Sequence, residues 1–297
     1  MIDLEFQMYW PGFEKEQNIF DDFFKSNQDV AENLKQRGYS KIVFESVFPP
    51  KMSSRKRNVK NALRRFSMAA KEKENIEILR FWYTGENIRP PLERDFNGFF
   101  SFDQDDFGCK NLYFPLIYSS LNPFQRNYCH RVGKAYDTKE LLLTRKIDEK
   151  KIDKSICIIG RPHPFRTAAV KEFRKYFQVD TYGLMAGTQV EEKYSIAKNY
   201  KYILCLENDF YPGYVTEKLV EAYVCETVPL YWGSTSGNDY LNKSAFINLS
   251  DFRSIADWAL YVSKIDNSHY QKISEQPLLS YLPPIEEKLR KFFEDVV

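Results

Sequence analysis

Charged residues at helix starts and in glycine-flanked loops are where this chain could do chemistry. Lys218 falls in the first turn of a helix-patterned segment. A lysine there opposes the helix dipole, so local stability does not explain it, whereas a bound anion would. Arg166 opens another helix-patterned segment. Its guanidinium fork matches phosphate oxygens, while Lys218 offers a compact charge. The plain alternative for both is a solvated surface cation. Glu86 stands between Gly85 and Asn87 in a loop after a strand, a place for a general base or simply for a solvated carboxylate. Glu217, just before Lys218, suits a first helical turn on dipole grounds alone. Thr216 suits a helix start.

Other chemistries lack their residues. No DxD-like pair stands where a metal–diphosphate site would need it, and the nearest acidic cluster is Asp105-Asp106. The histidines, His130, His163 and His269, are scattered, and the five cysteines show no CxxC spacing. Buried thiols in a reducing compartment are the expectation, with no zinc site and no disulfide framework. In a metal-free site Arg166, Lys218 and the helix N-terminus would do the work of a metal. No cofactor is expected.

The elements that must position these side chains read as alternating strands and helices. The apolar run 202–206 has the length of a buried parallel strand. A polar loop follows at 207–213, then a helix with Val215, Leu219, Ala222 and Tyr223 on one face, then a strand at 228–232. Such strand–loop–helix–strand units bind ligands at the carboxyl ends of the strands. Upstream, strands are expected at 2–6, 40–48, 77–82, 99–102 and 112–114, and helices at 18–25 and 29–37. Downstream, strands are expected at 155–159, 178–181 and 245–249, and helices at 167–176, 254–264 and 284–297. The charged stretch 137–154 suggests a boundary near Lys150. The fold class is therefore α/β, with two doubly wound sheets facing each other across a cleft.

The segment YILCLENDFYPGYVTEKLVEAYVCETVPLYWGS at 202–234 resembles the signature of the α-1,3-fucosyltransferases, glycosyltransferase family 10. FWYTGENIRPPLERDFNGFFSFD at 81–103 is similar to that family's YTGEN…D…FD segment, and Pro164-Phe165-Arg166 is a weaker third match. The resemblance spans about residues 77–265. It implies a GT-B-type architecture of two Rossmann-like domains, an acceptor-binding domain at 1–150 and a GDP-fucose-binding domain at 151–297. It implies inverting transfer of L-fucose from GDP-β-L-fucose to a glycan, at O3 of N-acetylglucosamine, with another GDP-linked sugar as the close alternative. It assigns Glu86 as base and Arg166 and Lys218 to the diphosphate. Asn208, Tyr214, Thr216 and Glu217 would line the donor pocket, although Tyr214 could equally belong to the core. The match departs at Ile159–Pro164 and Tyr182–Gly187, beside the donor pocket, where Arg161 is a candidate replacement contact.

The chain has 297 residues, a net charge of +2, 28% charged residues and 16% aromatic residues. The length is enough for two domains of ordinary size, the composition fits a soluble globular protein, and the charge does not demand a nucleic-acid partner. The basic stretch 51–73 carries Arg55, Lys56, Arg57, Lys60, Arg64 and Arg65. It reads as a solvated face, or as a surface that meets anionic lipid beneath a glycolipid acceptor. Nucleic acid is the least favoured use, since no recognition motif accompanies it. With no apolar run of membrane-spanning length and no signal-peptide layout, a cytoplasmic, bacterial-type enzyme with peripheral membrane contact is expected. A sugar-nucleotide-binding module without turnover is the rival class, and it would not need Glu86.

Overall fold

The alternation of apolar strands with amphipathic helices produces two parallel sheets of five strands each. The structure, a computed structural model, describes residues 2–9, 13, 15–16, 18–48, 77–108, 110–124, 132–147 and 152–295. The chain forms two units, Met1–Phe114 together with Ile285–Val297, and Pro115–Pro284.

In the first unit β1 (Asp3–Gln7), β2 (Tyr39–Glu45), β3 (Glu77–Tyr83), β4 (Gly98–Ser101) and β5 (Asn111–Tyr113) lie side by side in chain order. Among the described residues the order does not reverse, so these five strands do not show the doubly wound order expected. Helix α1 (Ile19–Ser26) is capped by Asn18, whose Oδ1 accepts the Phe20 and Asp21 N–H groups at 3.1 and 3.2 Å. Helix α2 (Gln28–Gln36) follows at once. Stacked and edge-on phenylalanines dominate the core. Phe20 stacks on Phe44 at 4.2 Å and meets Phe100 edge-on at 4.9 Å. The last helix, α9 (Ile285–Asp295), buries Leu289, Phe292 and Phe293. Phe292 packs 4.8 Å from Phe100, and Phe293 packs 5.3 Å from Phe81. Gly98 permits that approach, because a Cβ there would come within 2.7 Å of the Phe292 ring.

The second unit contains α3 (Ile117–Ser120), β6 (Ile152–Ile159), α4 (Pro164–Phe173), β7 (Gln178–Tyr182), α5 (Lys193–Ala197) and β8 (Tyr200–Leu206). It continues with α6 (Lys218–Val224), β9 (Val228–Trp232), β10 (Ile247–Asn248), α7 (Ile255–Ser263) and α8 (Asn267–Ser274). Its strand order is β10-β9-β8-β6-β7, a doubly wound arrangement whose order reverses between β6 and β8. Ile156, Leu204 and Leu230 from the sheet pack with Phe173 of α4 and Trp258 of α7. Trp258 meets Phe173 edge-on at 5.0 Å.

The expected boundary at Lys150 is displaced in two ways. Residues 115–147 belong with the second unit. Arg145 anchors them by donating to the carbonyls of Ser274 at 2.9 Å, Thr227 at 2.8 Å and Tyr223, with its guanidinium 3.6 Å from the Tyr223 ring centroid. The helix expected at 284–297 returns to the first unit through the phenylalanine contacts above. The strand expected at 245–249 shrinks to Ile247–Asn248. Asn242 and Asn248 accept the N–H groups of Ser244 and Ser250, each at 3.1 Å, and these side-chain bonds turn the backbone into short 3₁₀ segments on both sides. The helix expected at 167–176 starts at Pro164, with proline at a helix start where its missing N–H does no harm. Helix α8 was not anticipated, although Asp266 provides its cap. The basic stretch 51–73 lies outside the described residues. Among the described residues, no helix is long and apolar enough to cross a membrane.

Candidate active site

The reversal between β6 and β8 marks where a doubly wound sheet binds ligands, at the carboxyl ends of the two diverging strands. Here β6 leads into α4 and β8 leads into the loop 207–217. Arg166 bridges them. It sits in the first turn of α4, and its side chain is buried. Its guanidinium donates to Leu206 O at 3.0 Å, Asn208 Oδ1 at 2.8 Å and Arg161 O at 3.1 Å. All three acceptors are neutral. Burial pulls the Arg166 pKa down, against the nearby Glu207 carboxylate. Phe165, the preceding residue, stacks on Trp232 at 3.8 Å between centroids and fixes the start of α4 on the end of β9.

Glu207 follows β8 directly, and its N–H donates to Trp232 O at 2.9 Å. Its carboxylate has no solvent exposure. It accepts from the Thr216 N–H at 2.9 Å, from the Thr216 hydroxyl, from Lys218 Nζ at 2.7 Å and from the Tyr231 hydroxyl at 3.3 Å. The Thr216 hydroxyl accepts from Lys218 Nζ at 2.8 Å, so the three side chains form one closed set. Burial pulls the Lys218 pKa down, but Glu207 and Glu217 pull it up harder, and the net shift is upward. Gly233 makes the set possible. A Cβ there would collide with the Tyr231 hydroxyl and lie 2.8 Å from Glu207 Cγ.

The structure thus brings together Arg166, Asn208, Thr216, Glu217 and Lys218. Glu217 occupies the cap position of α6 with its Oε1 4.0 Å from Lys218 Nζ. Thr216 does not cap the helix, because its hydroxyl serves Glu207 and Lys218 instead. Tyr214 is buried. Arg161 lends its backbone carbonyl to Arg166 while its side chain is exposed. Glu86 stands in the first unit, in the loop after β3, half-buried, with its N–H donated to Thr84 Oγ1 at 3.1 Å. Among the described residues, no group of three potential metal ligands comes together. Cys157, Cys205 and Cys225 are buried free thiols.

Sequence reasoning missed Glu207 as the centre of the set and Tyr231 as its partner. The available signal was a carboxylate placed directly after a buried strand. It also missed the ion pair between Lys193 and the buried Glu221, one turn beyond Glu217.

Two units, each built on a parallel five-stranded sheet with helices, make up a GT-B-type α/β fold. Residues 151–274 match the family model described as glycosyltransferase family 10 (fucosyltransferase) C-term. The α-(1,3)-fucosyltransferase FucT of Helicobacter pylori is 29% identical over 226 residues, covering 67% of this chain and 47% of the relative. A putative fucosyltransferase of Acanthamoeba polyphaga mimivirus is 34% identical over 118 residues, covering 39% of this chain and 18% of the relative. The chain therefore spans about half or less of the length of these relatives. Among solved structures, an α1,3-fucosyltransferase with GDP-fucose shares the fold at a TM-score of 0.60 and 20% identity. That match covers 99% of this chain and 90% of the other. Relatives from a bacterium, a virus and mammals do not sort the chain by source.

Proposed function

We propose that this chain is an inverting glycosyltransferase that moves L-fucose from GDP-β-L-fucose to a glycan hydroxyl, at O3 of N-acetylglucosamine. The observation that carries this reading is the position of Arg166 and Lys218. Both cations stand at the switch point of the second unit, inside the segment that matches the family model.

In this reading the acceptor oxygen attacks the anomeric carbon and the bond from that carbon to the phosphate oxygen breaks. Glu86 takes the hydroxyl proton. GDP leaves with its negative charge met by Arg166 and Lys218. Inversion follows because attack comes from the face opposite the leaving group. Asn208, Tyr214, Glu217 and Arg161 contact the donor, and Thr216 acts on it through Lys218. Two fixed cations supply the charge that a metal supplies elsewhere, so the transfer is read as needing no cofactor. The acceptor is read as a glycan or glycolipid, handled by the first unit at the cytoplasmic face of a membrane.

Turnover with a panel of GDP-sugars against a glycan array tests the reading, with and without chelator. The expected result is fucose transfer at undiminished rate in chelator, together with a GDP-dependent rise in melting temperature that UDP does not reproduce. Equal shifts with GDP and UDP would overturn guanine selectivity. No shift and no transfer would overturn the whole reading.

A further inference from the structure

The carboxyl edge of the first sheet holds a polar network that the proposed reaction leaves unused. Asp103 follows β4 and is 5% exposed. Its main chain is fixed from two sides. The Asp103 N–H donates to Ser101 Oγ at 3.2 Å, and Asn111 Nδ2 donates to Asp103 O at 2.9 Å. Ser101 and Asn111 are themselves buried and joined, with Ser101 Oγ donating to Asn111 Oδ1 at 2.7 Å. The Asp103 carboxylate, held by this frame, forms an ion pair with Arg89.

Arg89 lies three residues beyond Glu86, in the same loop. Its own side chain is half exposed. The near end of that loop is tied to β3, where the buried Thr84 takes the Glu86 N–H at 3.1 Å. A tight turn follows, with the Ile88 N–H donating to Glu86 O at 2.7 Å. The loop is thus anchored on both sides of Glu86, by Thr84 before it and by the Arg89–Asp103 pair after it. An ion pair with one partner half exposed contributes little to stability, typically about 0–1 kcal/mol. A role in fixing a neighbouring side chain accounts for keeping it.

We propose that Asp103, through its ion pair with Arg89, is a positioning residue that holds the Glu86 carboxylate where the acceptor proton is transferred. The inference rests on the reading of Glu86 as the base. Displacing a reacting group by about 1 Å can reduce a rate by about 10², which sets the scale of the effect.

The experiment compares Asp103→Asn, Arg89→Met and Arg89→Lys, each alone and in the Glu86→Gln background, by initial rates and by GDP titration. Asp103→Asn and Arg89→Met should each lower kcat by about 10- to 100-fold, with donor KM and GDP affinity unchanged. Arg89→Lys, which keeps the cation, should retain most of the rate. In the Glu86→Gln background neither Asp103→Asn nor Arg89→Met should lower the residual rate further. Arg89 is half exposed, so its variants keep the test valid if Asp103→Asn does not fold. Near-wild-type rates for both Asp103→Asn and Arg89→Met overturn the proposal, as do losses that multiply with that of Glu86→Gln. If Glu86→Gln itself transfers at the wild-type rate, it is the assignment of the base that has failed.

Discussion

Lys218 Nζ lies 2.7 Å from Oε2 of Glu207, a carboxylate with no solvent exposure. The lysine assigned to the leaving phosphate is therefore also the counter-ion of a buried acid. Lys218→Ala should lose on both counts. It should reduce transfer by about 10²–10³, as when one preorganised charge stabiliser is removed. It should also destabilise the fold by about 3–5 kcal/mol, because the carboxylate is left buried and unpaired. Denaturant titration and initial rates on one preparation separate the two effects. Glu207→Gln combined with Lys218→Met should recover stability but not transfer. Recovery of both would make the lysine purely structural.

The same pair sets a pH dependence. The folded pKa of Lys218 is raised, so its contribution to stability is complete below the unfolded lysine value, near about 10.4. It is lost only as pH rises through the higher folded value. Measured as wild type minus the Glu207→Gln, Lys218→Met double variant, the small melting-temperature gap should stay level between about pH 7 and 10 and turn in favour of the variant above that. A gap that shrinks between pH 7 and 9 would contradict the raised pKa.

Arg166 differs from Lys218 in its company. Its acceptors are two carbonyls and an amide oxygen, so among the described residues no carboxylate forms an ion pair with it. Its charge is the less compensated of the two. Arg166→Lys should fail as a substitute, because an ammonium cannot reach three fixed acceptors with the geometry of a planar fork. A loss of about 2–4 kcal/mol in kcat/KM is expected for Arg166→Ala, with GDP affinity falling more than guanosine affinity. Equal falls for the two ligands would remove Arg166 from the phosphate.

Glu86→Gln keeps size and hydrogen bonding but cannot take a proton. Transfer should fall by about 10²–10⁴, with GDP affinity nearly intact because the proposed nucleotide contacts lie in the second unit. Calorimetry with GDP and a rate assay on the same protein decide the matter. Transfer within a few-fold of wild type would send the search to another base, with His163 and Asp105 tested next.

Much of the second unit was legible in the sequence because its strands are short apolar runs bounded by polar loops. Tyr202–Leu206 and Val228–Trp232 read directly as buried strands, and Lys218 stood out because it opposes a helix dipole. Glu207 did not, since nothing local reveals that its partners would be Thr216, Lys218 and Tyr231, as many as 24 residues away. The first unit's strands were equally visible, but their side-by-side order was not. Periodicity reports which face of an element is apolar and says nothing of which neighbour covers it. The boundary at Lys150 failed for the same reason, because Arg145 reads as one more charge in a charged stretch until its carbonyl acceptors at Tyr223, Thr227 and Ser274 are seen.

The return of α9 to the first sheet has a consequence for biosynthesis. Phe292 and Phe293 fill the core between Phe81 and Phe100, so that core cannot close until the segment carrying them has left the ribosome. The second unit is continuous in sequence and can complete itself first. The early strands must therefore wait with apolar surface uncovered, the condition in which nascent chains aggregate or recruit chaperones. The strands made first gain their last covering helix only after the second unit has been made.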